Sequence, residues 1–170
     1  MGKLHVRVCA GGGPVTDIPS VRCKKGRPEM LTGMCACTQT SFQLNKSPTE
    51  CCYCCCSICR RLTDSAMGAY GKIAKDDFTW LKGAEYLSSF MQNENLERVF
   101  CSRCGSTMTS IHALNKEDVY ISLGCLGAPE KLEIEYQQFV QSKAEWFTPS
   151  SELESYESWP PWIQEAISNA

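Results

Sequence analysis

Residues 101–105 read Cys101-Ser102-Arg103-Cys104-Gly105, and the demands of this short stretch decide how the chain must fold. Two thiolates separated by two residues can reach one tetrahedral zinc ion, whose sulfurs lie about 2.3 Å from the metal and hence about 3.8 Å from one another. The following glycine can adopt the left-handed backbone that turns the chain round the ion and aims N–H groups at the sulfurs. Such a knuckle needs two further donors. Cys35-Ala36-Cys37 supplies them, because side chains of an extended segment repeat every two residues and both thiols would share a face. Two plus two closes a four-thiolate site, the usual arrangement of a structural zinc, and ties an early segment to a late one across more than sixty residues.

A denser run lies between them. Cys51-Cys52-Tyr53-Cys54-Cys55-Cys56-Ser57-Ile58-Cys59 places six cysteines in nine positions. Within it, Cys54, Cys56 and Cys59 offer three thiolates from one segment, and three protein ligands plus an open fourth position is the pattern of a catalytic zinc. Cys55 would point away from Cys54 and Cys56 if the run is extended. Either Cys51 or Cys52 could swing in as a fourth ligand, which would turn the second site into another strut.

A thiol bound to zinc is deprotonated outright, whereas a free one, with a pKa of about 8.5, is mostly protonated at neutral pH. The open position would therefore receive a substrate thiol or a polarised water. With three thiolates the site carries a formal charge of about -1 and is a soft Lewis acid, better suited to thiol activation than an imidazole-ligated zinc. Arg60 adjoins the run and is a candidate to pair a substrate carboxylate through a bidentate fork; the alternative for Arg60 and Arg61 is an ordinary solvated surface.

Working outward, 170 residues with 43% hydrophobic content suit one core. We expect a single zinc-binding domain over residues 30–170, flanked by an N-terminal extension over 1–29. Seventeen basic and 19 acidic residues are dispersed to a net charge of -2, which gives no reason to expect nucleic acid as a partner. No apolar run is long enough to span a membrane, and the N-terminus lacks the apolar core of an export signal. The 13 cysteines are odd in number, so metal ligation in a cytoplasmic setting is the better reading than a disulfide scaffold.

The pattern is mainly β. Short alternating segments predict strands at Leu4–Val8, Gly33–Cys37, Thr40–Leu44, Phe78–Leu81, Arg98–Phe100, Thr107–Ala113 and Val119–Leu123. Helical signals are confined to Cys59–Ala66 and Pro161–Ser168, the second with proline at its first turn.

Taken together, Cys35-x-Cys37, Cys54-x-Cys56-Ser57-x-Cys59-Arg60, Arg98-x-Phe100-Cys101-x-x-Cys104-Gly105-Ser106, Leu123-Gly124-x-Leu126 and Trp146 resemble the glutathione-dependent formaldehyde-activating enzyme family, which also includes centromere protein V. The resemblance covers roughly residues 30–150. It implies twisted antiparallel sheets in a tent-like arrangement around two zinc ions. It also implies that Cys35, Cys37, Cys101 and Cys104 hold the structural ion and Cys54, Cys56 and Cys59 the catalytic one. The activity it implies is condensation of glutathione with formaldehyde to S-hydroxymethylglutathione, a carbon–sulfur lyase running in reverse. Partners would be a small-molecule thiol and an aldehyde or other carbonyl compound, and a homodimer is open. Tyr53 and Cys55 stand where many relatives carry histidine, and Cys51 and Cys52 are additions to the pattern.

The remaining candidates have blander readings. His5 and His112 lie outside the cysteine clusters, and His112 reads as a packed or surface residue. Trp80, Trp146, Trp159 and Trp162 could floor a cleft, although aromatics more often fill cores. Cys9, Cys23 and Cys125 read as small buried hydrophobes. Two competing classes are a zinc-stabilised interaction module, for which the chain lacks a basic arm, and an iron–sulfur protein drawing on the same thiolates.

Overall fold

The computed structural model describes residues 30–127 and 132–169. The strand expected at Leu4–Val8 and the residues His5, Cys9 and Cys23 lie outside them. The described residues form eleven strands and two short helices, so the mainly β expectation holds.

The chain enters through β1 (Leu31–Met34) and β2 (Ser41–Leu44), which pair antiparallel, and β5 (Phe78–Lys82) adds to the far edge of β2. The larger sheet comprises β3 (Thr49–Cys54), β4 (Gly68–Ala74), β6 (Leu87–Asn93), β7 (Leu96–Cys101), β8 (Thr107–His112), β9 (Asn115–Ser122), β10 (Tyr136–Gln138) and β11 (Glu154–Tyr156). Its spatial order is β11-β10-β3-β4-β9-β8-β7-β6. Helix α1 (Ser57–Thr63) follows β3, and α2 (Pro161–Ser168) follows β11, at the residues expected from its proline.

The sheets are not wholly antiparallel, as the resemblance had implied. β10 runs parallel to both β3 and β11. Parallel neighbours need long crossovers, and the chain supplies them between Cys54 and Tyr136 and again between Gln138 and Glu154. The second crossover is pinned by Gln137, a fully buried amide. Its Nε2 donates to Ser150 O at 2.6 Å and Ser155 Oγ at 2.7 Å, while its Oε1 accepts from Ser150 N at 3.1 Å, so both ends of the amide are satisfied.

One face of the large sheet meets the small sheet in a core containing Phe42, Leu44, Met108 and Ile121, all fully buried. Phe42 stacks on Phe78 at 5.2 Å and meets Trp80 edge-on at 5.8 Å, which settles Trp80 as a core residue. The Phe42 ring also lies directly across Gly33, where an added Cβ would sit 2.2 Å from Cζ. The opposite face of the large sheet carries a second cluster built from Cys52, Cys54, Cys59, Tyr70 and Tyr136. Alternation along β3 explains the split: Cys51 enters the first core, whereas Cys52 and Cys54 face the other way.

The strand expected at Gly33–Cys37 stops at Met34. Cys35 to Thr38 form a tight turn in which Thr38 N–H donates to Cys35 O at 2.9 Å and Thr38 takes a φ of 61°. The physical reason is reach. Side chains two apart on a strand are about 6.6 Å apart along it, too far for sulfurs that must share one ion, and the turn brings Cys35 Sγ and Cys37 Sγ to 3.5 Å.

Candidate metal centres and the adjoining cavity

The two knuckles predicted at Cys35-x-Cys37 and Cys101-x-x-Cys104 meet. Their four Sγ atoms lie within 4.8 Å of one another, with Cys37 to Cys101 at 3.8 Å. Those spacings match the edge of a thiolate tetrahedron around zinc, about 3.8 Å. Gly105 has a φ of 78° and donates its N–H to Cys101 O at 2.8 Å, and Cys101 N–H donates to Ser106 O at 3.0 Å, which closes the turn. The knuckles are also tied directly: Ala36 N–H donates to Ser106 Oγ at 3.0 Å. Thr40 N–H donates to Cys35 Sγ at 3.3 Å, the kind of outer contact that supports a thiolate. Burial raises the Cys104 thiol, but hydrogen bonds from the Ser106 side chain and backbone and from Cys37 together outweigh it and bring it down to about 6.

The second predicted group also assembles. Cys54 ends β3, Cys56 caps α1 and Cys59 sits in its first turn, and their sulfurs lie within 4.8 Å of one another. Cys59 N–H donates to Cys56 Sγ at 3.3 Å, so the cap of the helix is itself a donor of the site. Hydrogen bonding with the Cys54 and Cys59 thiols, helped by the N–H groups of Cys59 and Ile58, overcomes burial and holds the Cys56 thiol down at about 2. The same contacts push Cys54 upward, so negative charge collects on Cys56.

Among the described residues no fourth Cys, His, Asp or Glu shares this grouping. Cys51 lies in the intersheet core with its thiol directed at Pro48 O, 3.7 Å away. Cys52 faces the correct side of β3 but stays outside the group, accepting from Gln138 Nε2 at 3.8 Å. Cys55 is fully buried and turned aside, its N–H donating to Gln138 O at 2.9 Å. Two sulfur clusters of these sizes could each hold a soft or borderline metal ion, and the all-thiolate donor set fits zinc.

Beside the three-sulfur group lies a cavity of about 550 Å³. Cys54, Cys56 and Cys59 line one end, Glu50, Lys72 and Tyr120 line another part, and Trp159 and Trp162 form a wall. Glu50 and Lys72 are ion-paired to each other. Burial lowers the pKa of His112, whose Nδ1 accepts from Leu114 N–H at 3.3 Å; His112 lines the cavity as a packed residue. Trp146, by contrast, is exposed.

Neither Arg60 nor Arg61 lines the cavity, whereas Arg98 does. Arg60 Nη2 donates to Ser142 O at 3.3 Å, and Arg61 is exposed. Arg98 is the cavity's guanidinium. It is 5% exposed, donates from Nε to Gln92 Oε1 at 2.9 Å and from Nη1 to Ser110 Oγ at 3.4 Å, and places Nη2 3.6 Å from Cys59 Sγ. Its guanidinium also lies over the Tyr70 ring at 5.1 Å. Arg98 and Cys101 are both on β7 but serve opposite faces of the sheet, so one strand supports both sulfur clusters. A charged residue inside an otherwise β-like segment next to a cysteine knuckle was the sequence signal for it. Arg98→Met is expected to leave Ser110 and Gln92 without their donor and to lower unfolding stability by about 1–3 kcal/mol, read as a shift in the urea midpoint.

The family model described as glutathione-dependent formaldehyde-activating enzyme matches residues 30–142 of this chain. No curated protein matches it. Among solved structures, the crystal structure of a Rhodobacter sphaeroides protein is similar at 23% identity, with 58% of this chain and 91% of that chain covered and a TM-score of 0.47.

Proposed function

The chain belongs to the glutathione-dependent formaldehyde-activating enzyme family, and from that premise we propose that it is a zinc-dependent enzyme of the carbon–sulfur lyase type. It joins a thiol to formaldehyde or another small carbonyl compound. The observation that carries this reading is the inequality of the two sulfur clusters. Four sulfurs form one group away from the cavity, whereas the group at the cavity has three. We assign Cys35, Cys37, Cys101 and Cys104 to a structural zinc and Cys54, Cys56 and Cys59 to a catalytic one, within a single domain over residues 30–170 that works in the cytoplasm.

A zinc ion held by Cys54, Cys56 and Cys59 would supply Lewis acidity and favour the deprotonated form of a substrate thiol. The chain's own residues do the rest. Arg98 sets a fixed positive charge against the thiolate cluster through Cys59. The lining of the cavity holds the carbonyl carbon near the sulfur. Burial raises the Tyr70 phenol, which keeps its proton, and Tyr70 Oη has no hydrogen-bond partner among the described residues. That donor serves the oxygen that gains negative charge during addition. The substrate sulfur forms a bond to the carbonyl carbon, the C=O π pair moves to oxygen, and the proton lost from the thiol is returned to that oxygen. The product is a hemithioacetal, and no oxidant or reductant is needed.

Metal removal tests the reading. Protein stripped of its weaker-held zinc by a chelator should lose thiol–aldehyde condensation, followed as disappearance of free thiol, and one equivalent of added zinc should restore it. Equal rates in stripped and restored protein would overturn it.

A further inference from the structure

Helix α2 carries Trp162, Ile163, Ala166 and Ile167, spaced so that all four line the cavity, yet no residue of this helix is buried. The helix therefore leaves part of an apolar face along the cavity, with only Trp162 seated against other rings. Phe139 and Trp159 extend the same wall as an edge-to-face pair at 4.8 Å, and Tyr136 and Tyr156 each buttress Trp162, at 5.4 and 5.5 Å. Leu96, Leu114 and Ile58 add further apolar side chains to the lining, the last two exposed. Helix α2 lies beyond residues 30–142, which the family model matches.

The charges of the cavity are already committed. Among the described lining residues, Lys72 is paired with Glu50, Arg98 is engaged by Gln92, Ser110 and Cys59, and burial holds His112 toward its neutral form. Glutathione brings two carboxylates and an ammonium group, and the described lining residues offer none of them an uncommitted basic or acidic side chain. Burying such charges without partners is costly, whereas covering the apolar wall is favourable. A volume of about 550 Å³ lies within the range that encloses a compound of some tens of heavy atoms, about 300–1,000 Å³, and far exceeds what formaldehyde fills.

We infer that the carbonyl substrate of this site is an uncharged compound with a ring-bearing apolar body, held against the aromatic wall of α2 with its carbonyl directed to the Cys54, Cys56 and Cys59 end. This deepens the thiol–carbonyl reading and rests on it. The site selects by edge-to-face and stacking contacts with Trp159, Trp162 and Tyr136.

Calorimetric titration of the zinc-loaded full chain tests this, with 2-naphthaldehyde, propanal and glutathione as separate probes. Naphthaldehyde is expected to bind at least tenfold more tightly than propanal, and glutathione no more tightly than propanal. Ile167→Glu, at an exposed position, should weaken naphthaldehyde at least fivefold with zinc content and unfolding temperature unchanged. Glutathione binding as tightly as naphthaldehyde, or an Ile167→Glu variant that binds normally, overturns the inference. Zinc counted in the same samples separates the two claims. Two ions per chain without apolar preference sinks the inference and leaves the thiol–carbonyl reading, whereas apolar preference with one ion per chain sinks that reading and leaves the cavity's selectivity.

Discussion

Cys104→Ala is expected to leave the protein largely unfolded. The residue is exposed, so truncating its side chain removes almost no packing, and any large loss reports on metal binding alone. The four-sulfur cluster joins the turn after β1 to the turn between β7 and β8, which the hydrogen bond from Ala36 N–H to Ser106 Oγ also ties. Binding at structural zinc sites is worth about 10–16 kcal/mol and is coupled to folding, against a total stability of about 5–15 kcal/mol for a typical domain. Forfeiting even part of it is comparable to the whole. Circular dichroism and metal analysis of the purified variant should show lost β signal and fewer than two zinc ions per chain. A folded variant that retains both ions would remove the structural role assigned here.

Cys56→Ala should separate activity from folding in the opposite sense. The residue caps a seven-residue helix and donates one of only three sulfurs, so about one zinc per chain is lost. The cap contributes about 1 kcal/mol, a modest fraction of stability, and the intersheet core around Phe42 and Met108 is untouched. Condensing activity should fall by more than the roughly 10–100-fold that follows loss of mere outer contacts to a metal site. The signature is one zinc remaining, a cooperative unfolding transition and no turnover. Unfolding as extensive as that of Cys104→Ala would make both centres struts, and full activity would exclude Cys56 from the chemistry.

The partition of the cysteines was legible before any coordinates, because donor count and spacing are local properties of the chain. Cys101-x-x-Cys104-Gly105 demanded a second pair, and Cys35 and Cys37 were placed to provide it. The mainly β class and the extent of α2 were legible for the same reason: alternation and a proline at a first turn act over a few residues. At Cys35-x-Cys37 the sulfurs' need to converge overrides the strand pattern, and the segment is a turn.

What the residues alone determined, then, is which sulfurs group together, since a metal ion imposes distances that few spacings satisfy. Only the tertiary structure decided what stands around the second group. Arg98 rather than Arg60 reaches the cavity because β7 crosses the sheet beside β8, far from α1 in sequence, while Arg60 is drawn to the Ser142 carbonyl. Cys51 and Cys52 were separated by strand alternation in β3, an outcome that depended on how the run was paired with β4 and β10. The aromatic wall of α2 likewise depends on the parallel crossover after β10, and long-range pairings of that kind are set by the packing of the whole sheet, which no short stretch of sequence encodes.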